Sequence, residues 1–193
     1  MTITEILGFI TGAVSVWLAV REHVWNWPVG IANGACFLAL FWGSGLYANA
    51  ALQVLYIGLG AYGWWRWLHG GASRTPLNVR HTSPREAVAL AVVTALTGAA
   101  LVALLGRSAG STMPFWDGVT TALSLTATYM LTAKLLEHWW VWIAADAIYV
   151  PLYASSQLYL TSLVYALFLA MCIAGLVRWT RGLRSAASPV ALR

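Results

Sequence analysis

Seven stretches of this chain are long and apolar enough to cross a bilayer, and nothing else in the sequence limits the fold as strongly. They run at roughly 3–20, 28–44, 47–68, 86–106, 115–133, 139–155 and 158–179. A membrane-spanning helix needs about 20 apolar residues, with a range of about 17–25. In lipid the backbone polar groups must be satisfied within the segment, so such spans fold as helices. Only 9% of the 193 residues are charged, against about 25% in a soluble domain. That is too little charge to clothe a water-facing surface. The expected fold is an all-α integral membrane protein of seven transmembrane helices. The first run lacks a basic n-region, carries Glu5 near its start and has no small-residue cleavage site after it. It reads as a retained helix and not as a signal peptide.

The loops give the direction. By alternation, one side holds a single basic residue, Arg107. The other side holds Arg21, Arg66, Arg74, Arg80, Arg85, Lys134, Arg178, Arg181, Arg184 and Arg193. The positive-inside rule puts these ten in the cytoplasm, with the N-terminus outside and the C-terminus inside. The net charge of +5 is thereby explained by orientation and calls for no nucleic acid. Eight tryptophans, Trp25, Trp27, Trp64, Trp65, Trp67, Trp139, Trp140 and Trp179, fall near cytoplasmic span ends and read mainly as an interfacial belt. Trp42, Trp116 and Trp142 fit a belt less well. Cys36 and Cys172 lie inside apolar runs and read as small buried residues.

The sequence also repeats. A shift of 113 sets Thr11 against Ser124, Arg21 against Lys134, Trp27 against Trp140 and Asn33 against Asp146. Further on, a shift of 112 sets Tyr47 against Tyr159, Tyr56 against Phe168, Gly63 against Gly175 and Trp67 against Trp179. Spans one to three thus resemble spans five to seven, both starting outside, and span four inverts the chain between them. The expected organisation is 3+1+3. Residues 1–68 form the first repeat, 69–114 a cytoplasmic loop and the inverter, 115–182 the second repeat, and 183–193 a cytoplasmic tail. Carriers built from parallel repeats bind substrate near mid-membrane between them.

A polar group at that depth must face a partner or a watery cavity. Asp146 shares a helical face with Trp142, Tyr149 and Tyr153, at i−4, i+3 and i+7. Either it binds a solute or it hydrogen-bonds between helices. Asn33 is its mate in the first repeat. Asn49, Gln53, Tyr56 and Gly60 form a stripe on span three, where an amide can read both donor and acceptor edges of a ligand or join helices. Thr120, Thr121, Ser124 and Thr128 give span five a hydroxyl-rich face. Glu22 and Glu137 sit beside Arg21 and Lys134 at cytoplasmic ends, as solvated pairs or as a gate. Chemistry of other kinds lacks its residues. The one lysine, Lys134, has no Gly-rich phosphate loop. His23, His69, His81 and His138 lie in loops or at span ends and form no zinc-type pair. No serine sits in a nucleophile elbow. No catalytic residue, metal or cofactor is expected.

Several segments together resemble the PnuC family of vitamin-precursor transporters. They are Trp-Asn-Trp-Pro-Val-Gly-Ile at 25–31, Asp117 with the Thr120–Ser124 run, KLLEHWWVW at 134–142, IAADAIYVPLY at 143–153, LYLTSLVYALF at 158–168, and Gly175 to Trp179. The resemblance implies a 3+1+3 fold related to the SWEET sugar transporters, commonly a homotrimer in the bacterial inner membrane. It implies facilitated diffusion of nicotinamide riboside, with trapping by phosphorylation in the cytoplasm. Relatives on the same fold carry thiamine, riboflavin or deoxynucleosides, and a substrate-binding subunit that needs a motor partner is the reading of a different class. Matching family motifs puts Gln53, Asn33, Asp146, Tyr149 and the Thr121/Ser124 surface near the ligand. With the residue reading, the substrate set becomes Asn33, Gln53, Tyr56, Thr121, Ser124, Trp142, Asp146 and Tyr149, and the gate Glu22, Lys134 and Glu137. The chain departs from the family at Ala133-Lys134, where a basic pair is common, and at Ser155-Ser156-Gln157, which lacks a lysine. It carries Asp at 146, where some members have Asn.

Overall fold

The computed structural model describes residues 3–107 and 113–187. Among them are seven α-helices: α1 (Ile3–Val20), α2 (Asn26–Gly43), α3 (Tyr47–His69), α4 (Pro84–Leu105), α5 (Pro114–Thr132), α6 (His138–Ser155) and α7 (Tyr159–Ala187). Each expected span corresponds to one helix. The second and sixth helices start earlier than their apolar runs, at Asn26 and His138. Pro28 falls in the first turn of α2, where the missing N–H would have had no helical partner. α4 opens on a capping box: Ser83 Oγ accepts from the Glu86 N–H at 3.3 Å, and Glu86 Oε2 accepts from the Ser83 N–H at 3.0 Å. α7 runs on to Ala187, so the first part of the expected tail is helical. Arg193, one of the ten basic residues, lies outside the described residues.

The helices close a ring. α1 packs on α2, α2 on α3, α3 on α5, α5 on α6, α6 on α7, and α7 returns to α1. α4 stands apart from the ring and packs along α5. The approach is close because Gly118 has no side chain. A Cβ there would lie 2.8 Å from the backbone nitrogen of Val102. Among the described residues, α4 and α7 are the helices apolar enough over their length to pass as membrane spans by composition alone. The other helices carry polar groups in their middles, and the ring gives those groups an interior to face.

At the end of the ring that bears the basic residues, four tryptophans form the core. Trp27 meets Trp67 edge-on, with ring centroids 5.5 Å apart and an 88° interplanar angle. Trp139 meets Trp179 at 5.5 Å and 88° as well. Trp67 Nε1 donates to the Leu131 carbonyl at 2.9 Å, and Trp179 Nε1 donates to the Ala19 carbonyl at 3.2 Å. Each half therefore reaches into the other. Gly63 lets the Trp27 ring approach and Gly175 the Trp139 ring, and a Cβ on either glycine would lie 2.5 Å from the indole. These four tryptophans are buried, which removes them from the expected belt, whereas Trp25, Trp64, Trp65 and Trp140 are exposed. The geometric equivalent of Trp27 is Trp139, not Trp140. Likewise Lys134 matches Glu22, not Arg21: both lie just past a helix end with left-handed backbone, φ 55° and 48°. The shift is 112 here too. A shift of 113 instead pairs Trp27 with Trp140, which points outward.

The 69–85 segment is a loop fastened across this end. The Leu77 N–H donates to the Trp67 carbonyl, the Arg80 N–H to the Lys134 carbonyl, and the Leu136 N–H to the Arg80 carbonyl, all within 3.1 Å. Glu137 joins it from below, accepting from the Thr82 N–H at 2.8 Å, the Thr82 hydroxyl at 2.6 Å and His81 Nδ1 at 2.8 Å. Partial burial pushes the Glu137 carboxyl up, but these hydrogen bonds outweigh it and hold the group below the usual carboxylate range.

Candidate functional site

The ring encloses a cavity of about 520 Å³, lined by α1, α2, α3, α5, α6 and α7 and by no residue of α4. Asn33, Gln53, Tyr56, Thr121, Ser124, Trp142, Asp146 and Tyr149 all line it. Helical periodicity brings them there. Trp142, Asp146 and Tyr149 share one face of α6, and Gln53, Tyr56 and Gly60 share one face of α3. Asn49, at the head of that stripe, is exposed and outside the lining.

The members differ in how much of their polarity is already used. Asp146 is 3% exposed, and its Oδ2 accepts from the Cys172 thiol at 3.6 Å. A thiol is a weak donor, and among the described residues no other donor reaches this carboxyl. A buried carboxyl so poorly matched favours a ligand that brings charge or hydrogen bonds. The Gln53 amide likewise has no protein partner among the described residues. Asn33 is different. Its Nδ2 donates to the Gly8 carbonyl at 2.8 Å and to Thr11 Oγ1 at 2.6 Å. Both amide hydrogens thus tie α2 to α1, and only the carbonyl oxygen remains for a solute. On α5, Thr121 and Ser124 face the cavity. Thr128 does too, but its hydroxyl donates back to the Ser124 carbonyl at 2.8 Å. Thr120 is buried outside the lining and donates to the Trp116 carbonyl at 2.7 Å.

The outer wall is aromatic. Tyr165 lies 4.5 Å from Tyr149 and 5.1 Å from Tyr153 between ring centroids, and Phe168 packs on Tyr165 at 5.9 Å. Sequence reasoning missed Tyr165, Phe168 and Cys172 as cavity residues. Their spacing of i, i+3 and i+7 on α7 was the available signal. Cys172 is thus more than a small apolar filler, and Cys36 is exposed instead of buried. Trp42 and Trp116, the two tryptophans that fitted a belt poorly, are exposed and outside the cavity.

The gate residues divide. Lys134 Nζ lies 3.2 Å from Glu22 Oε2, and also 4.5 Å above the Trp67 ring. The Lys134 side chain is only 9% exposed. This ion pair joins the ends of α1 and α5 at the basic end. Glu137 does not take part: it holds the loop at 81–82, as described above. His138, read from sequence as a span-end residue, is fully buried and lines the cavity.

The family model for nicotinamide mononucleotide transporters matches residues 2–181. The chain belongs to this family. Its relatives include the riboflavin/roseoflavin transporter RibM of Streptomyces davaonensis, 27% identical over 97% of this chain and 89% of the relative. They also include the nicotinamide riboside transporter PnuC of Escherichia coli, 28% identical over 95% of this chain and 87% of the relative. The crystal structure of the vitamin B3 transporter PnuC superposes with a TM-score of 0.71, covering 93% of this chain and 81% of that one at 19% identity. The shared fold is that of a multi-pass helical transporter of small vitamin-like solutes. Two relatives of nearly equal identity carry different vitamins, so membership alone does not choose between them.

Proposed function

We propose that this chain is a uniporter that moves nicotinamide riboside down its gradient through the ring cavity, with phosphorylation in the cytoplasm trapping the product. The observation that carries this reading is the buried Asp146 carboxyl, nearly without protein donors, beside Trp142 and Tyr149. A pyridinium ring suits both parts, since aromatic faces attract cations and the carboxylate supplies charge.

The matched tryptophan pairs support a 3+1+3, SWEET-like organisation with α4 as inverter. The Glu22–Lys134 pair serves as the inner gate, closing the basic end between the two repeats. Left-handed backbone at a non-glycine residue costs roughly 1–2 kcal/mol, so both gate residues sit in conformations that opening can relieve. The ten-to-one basic asymmetry supports a bacterial inner-membrane orientation with the C-terminus in the cytoplasm, which a C-terminal reporter fusion tests. A homotrimer is the assembly the resemblance implies. A second reading, a riboflavin carrier, is favoured by the RibM similarity over nearly the whole chain and by the tyrosine wall, which offers flat faces to a flat ring.

A thermal-shift panel of vitamins on the purified protein separates the two. A ligand at about 100 times its Kd stabilises by about 2.7 kcal/mol, or roughly 5–10 °C for a chain of this size. Nicotinamide riboside is expected to give that shift. A shift with riboflavin and none with nicotinamide riboside transfers the assignment to the second reading.

A further inference from the structure

Outside the cavity, the face of α3 turned away from the core carries a column of rings at the basic end. Gly60, Gly63 and Trp67 are buried. Tyr62, Trp65 and His69 stand two positions on from these, which turns them about 200° around the helix, and all three are exposed. Their rings lie close to parallel. Tyr62 stacks on Trp65 with centroids 6.5 Å apart at 24°, and Trp65 on His69 at 6.2 Å and 28°. His69 Nδ1 lies 3.1 Å from the Trp65 carbonyl, which holds the imidazole against the indole. The Arg66 guanidinium sits 5.7 Å from the Tyr62 ring and donates to its hydroxyl at 3.4 Å.

The loop after α3 brings a second guanidinium to this column. The Gly71 N–H donates to the Thr75 carbonyl at 2.8 Å, and the Thr75 N–H and hydroxyl both donate to the Ala72 carbonyl, at 3.2 and 2.8 Å. Inside this turn Ser73 and Arg74 take left-handed backbone, φ 55° and 61°. The turn sets the exposed Arg74 beside the rings, so that Trp65, His69 and Arg74 line an open hollow of about 510 Å³. None of the ion pairs among the described residues uses Arg66, His69 or Arg74. The other half keeps the charge and lacks the rings: 112 residues on, Tyr62, Trp65, Arg66 and His69 fall at Ala174, Val177, Arg178 and Arg181. Orientation in the membrane explains basic residues at both places, but it does not explain rings at one of them.

We propose that this hollow seats the headgroup of an anionic phospholipid, with the Arg74 guanidinium on the phosphate and the Trp65–His69 face against the glycerol and first acyl carbons. Indole and phenol rings on the outside of a spanning helix settle at headgroup level, and basic residues beside a span attract anionic lipid. A guanidinium matches a phosphate with paired donors, and here it has no carboxylate of the protein to compete for it. The site needs only that α3 cross the bilayer, and it is independent of which solute the cavity carries.

The test is a lipid titration of the purified full-length protein in detergent, read by native mass spectrometry, with phosphatidylglycerol and phosphatidylcholine of the same acyl chains. Wild type is expected to bind phosphatidylglycerol more tightly than phosphatidylcholine. Arg74→Gln is expected to weaken phosphatidylglycerol about fivefold, the scale of one arginine beside an anionic lipid surface, and to leave phosphatidylcholine unchanged. Trp65→Ala is expected to weaken phosphatidylglycerol as well. Arg181→Gln removes the same charge at the matching place in the other half, where no ring stands, and is expected to bind phosphatidylglycerol as wild type does. Equal weakening by Arg74→Gln and Arg181→Gln means attraction to surface charge in general and overturns the site, as does unchanged binding in Arg74→Gln or in Trp65→Ala. Inorganic phosphate that displaces phosphatidylglycerol from wild type at millimolar concentration assigns the hollow to a free anion and overturns the lipid. Each of these failures leaves the transport reading intact.

Discussion

Helices α1–α3 and α5–α7 are nearly the same machine at one end and different machines in the middle. At the basic end the two halves agree to the ångström: Trp27 on Trp67 and Trp139 on Trp179, each pair at 5.5 Å and 88°. Phe37 and Phe41 stack at 5.7 Å on α2, and Tyr149 and Tyr153 stack at 5.7 Å on α6. Yet only the second pair bears hydroxyls. Counting 112 residues on, Gly34 and not the expected Asn33 falls at Asp146, and Gln53 falls at Tyr165. Of the matched residues, Trp67 and Trp179 lie outside the cavity lining, whereas the differing Gln53, Asp146 and Tyr165 face it. Packing tolerates symmetry, whereas a solute without that symmetry needs walls that differ.

The largest expected effect tests the similarity. Trp67→Ala and Trp179→Ala each remove a buried indole and its hydrogen bond. Large-to-small changes of this kind cost about 3–5 kcal/mol, roughly 6–20 °C in melting temperature for a chain of this size. The two variants should fall by similar amounts in thermal unfolding of the purified protein. A large loss from one and none from the other would break the equivalence of the two ends.

The next tests the difference. Asp146→Asn keeps shape and hydrogen-bonding capacity and removes charge. Unit charges about 4 Å apart attract by about 4 kcal/mol at an effective dielectric of about 20, and desolvation offsets part of this. A cationic ligand should weaken about five- to thirtyfold, or roughly 1–2 kcal/mol, and a neutral nucleoside much less. Unchanged affinity for the cation would leave the carboxyl a structural role.

The smallest effect concerns α3 alone. Gln53→Ala should reduce uptake about two- to tenfold, the scale of one lost hydrogen bond. Asn49→Ala, exposed and outside the cavity, should leave it unchanged. Wild-type uptake in both at matched expression would remove Gln53 from the site.

Much of this was legible in the sequence because membrane helices must satisfy simple rules. Length and apolarity marked all seven helices, and helical spacing brought Gln53 with Tyr56 and Trp142 with Asp146 and Tyr149 onto shared faces. What could not be read was how each group is used. Nothing local distinguishes Trp139, buried on Gly175, from its neighbour Trp140, which points outward. The choice belongs to helix packing. Asn33 looks as free as Gln53 until α1 is seen to accept both its amide hydrogens. His138 looked like a span-end residue because its burial comes from neighbours distant in sequence, Trp179 among them. Glu137 sat beside Lys134 in the chain but reaches the loop at 81–82, while Lys134 crosses to Glu22.

The central claim is that the cavity between the two halves is the path of a passive carrier. Purified protein in liposomes tests it most directly, with labelled nicotinamide riboside outside and no nucleotide, ion gradient or partner protein present. The account predicts saturable entry that stops at equal concentrations, rises further when a riboside kinase and ATP are enclosed, and is reduced by Asp146→Asn. No entry, or entry only with an added motor protein, would contradict it.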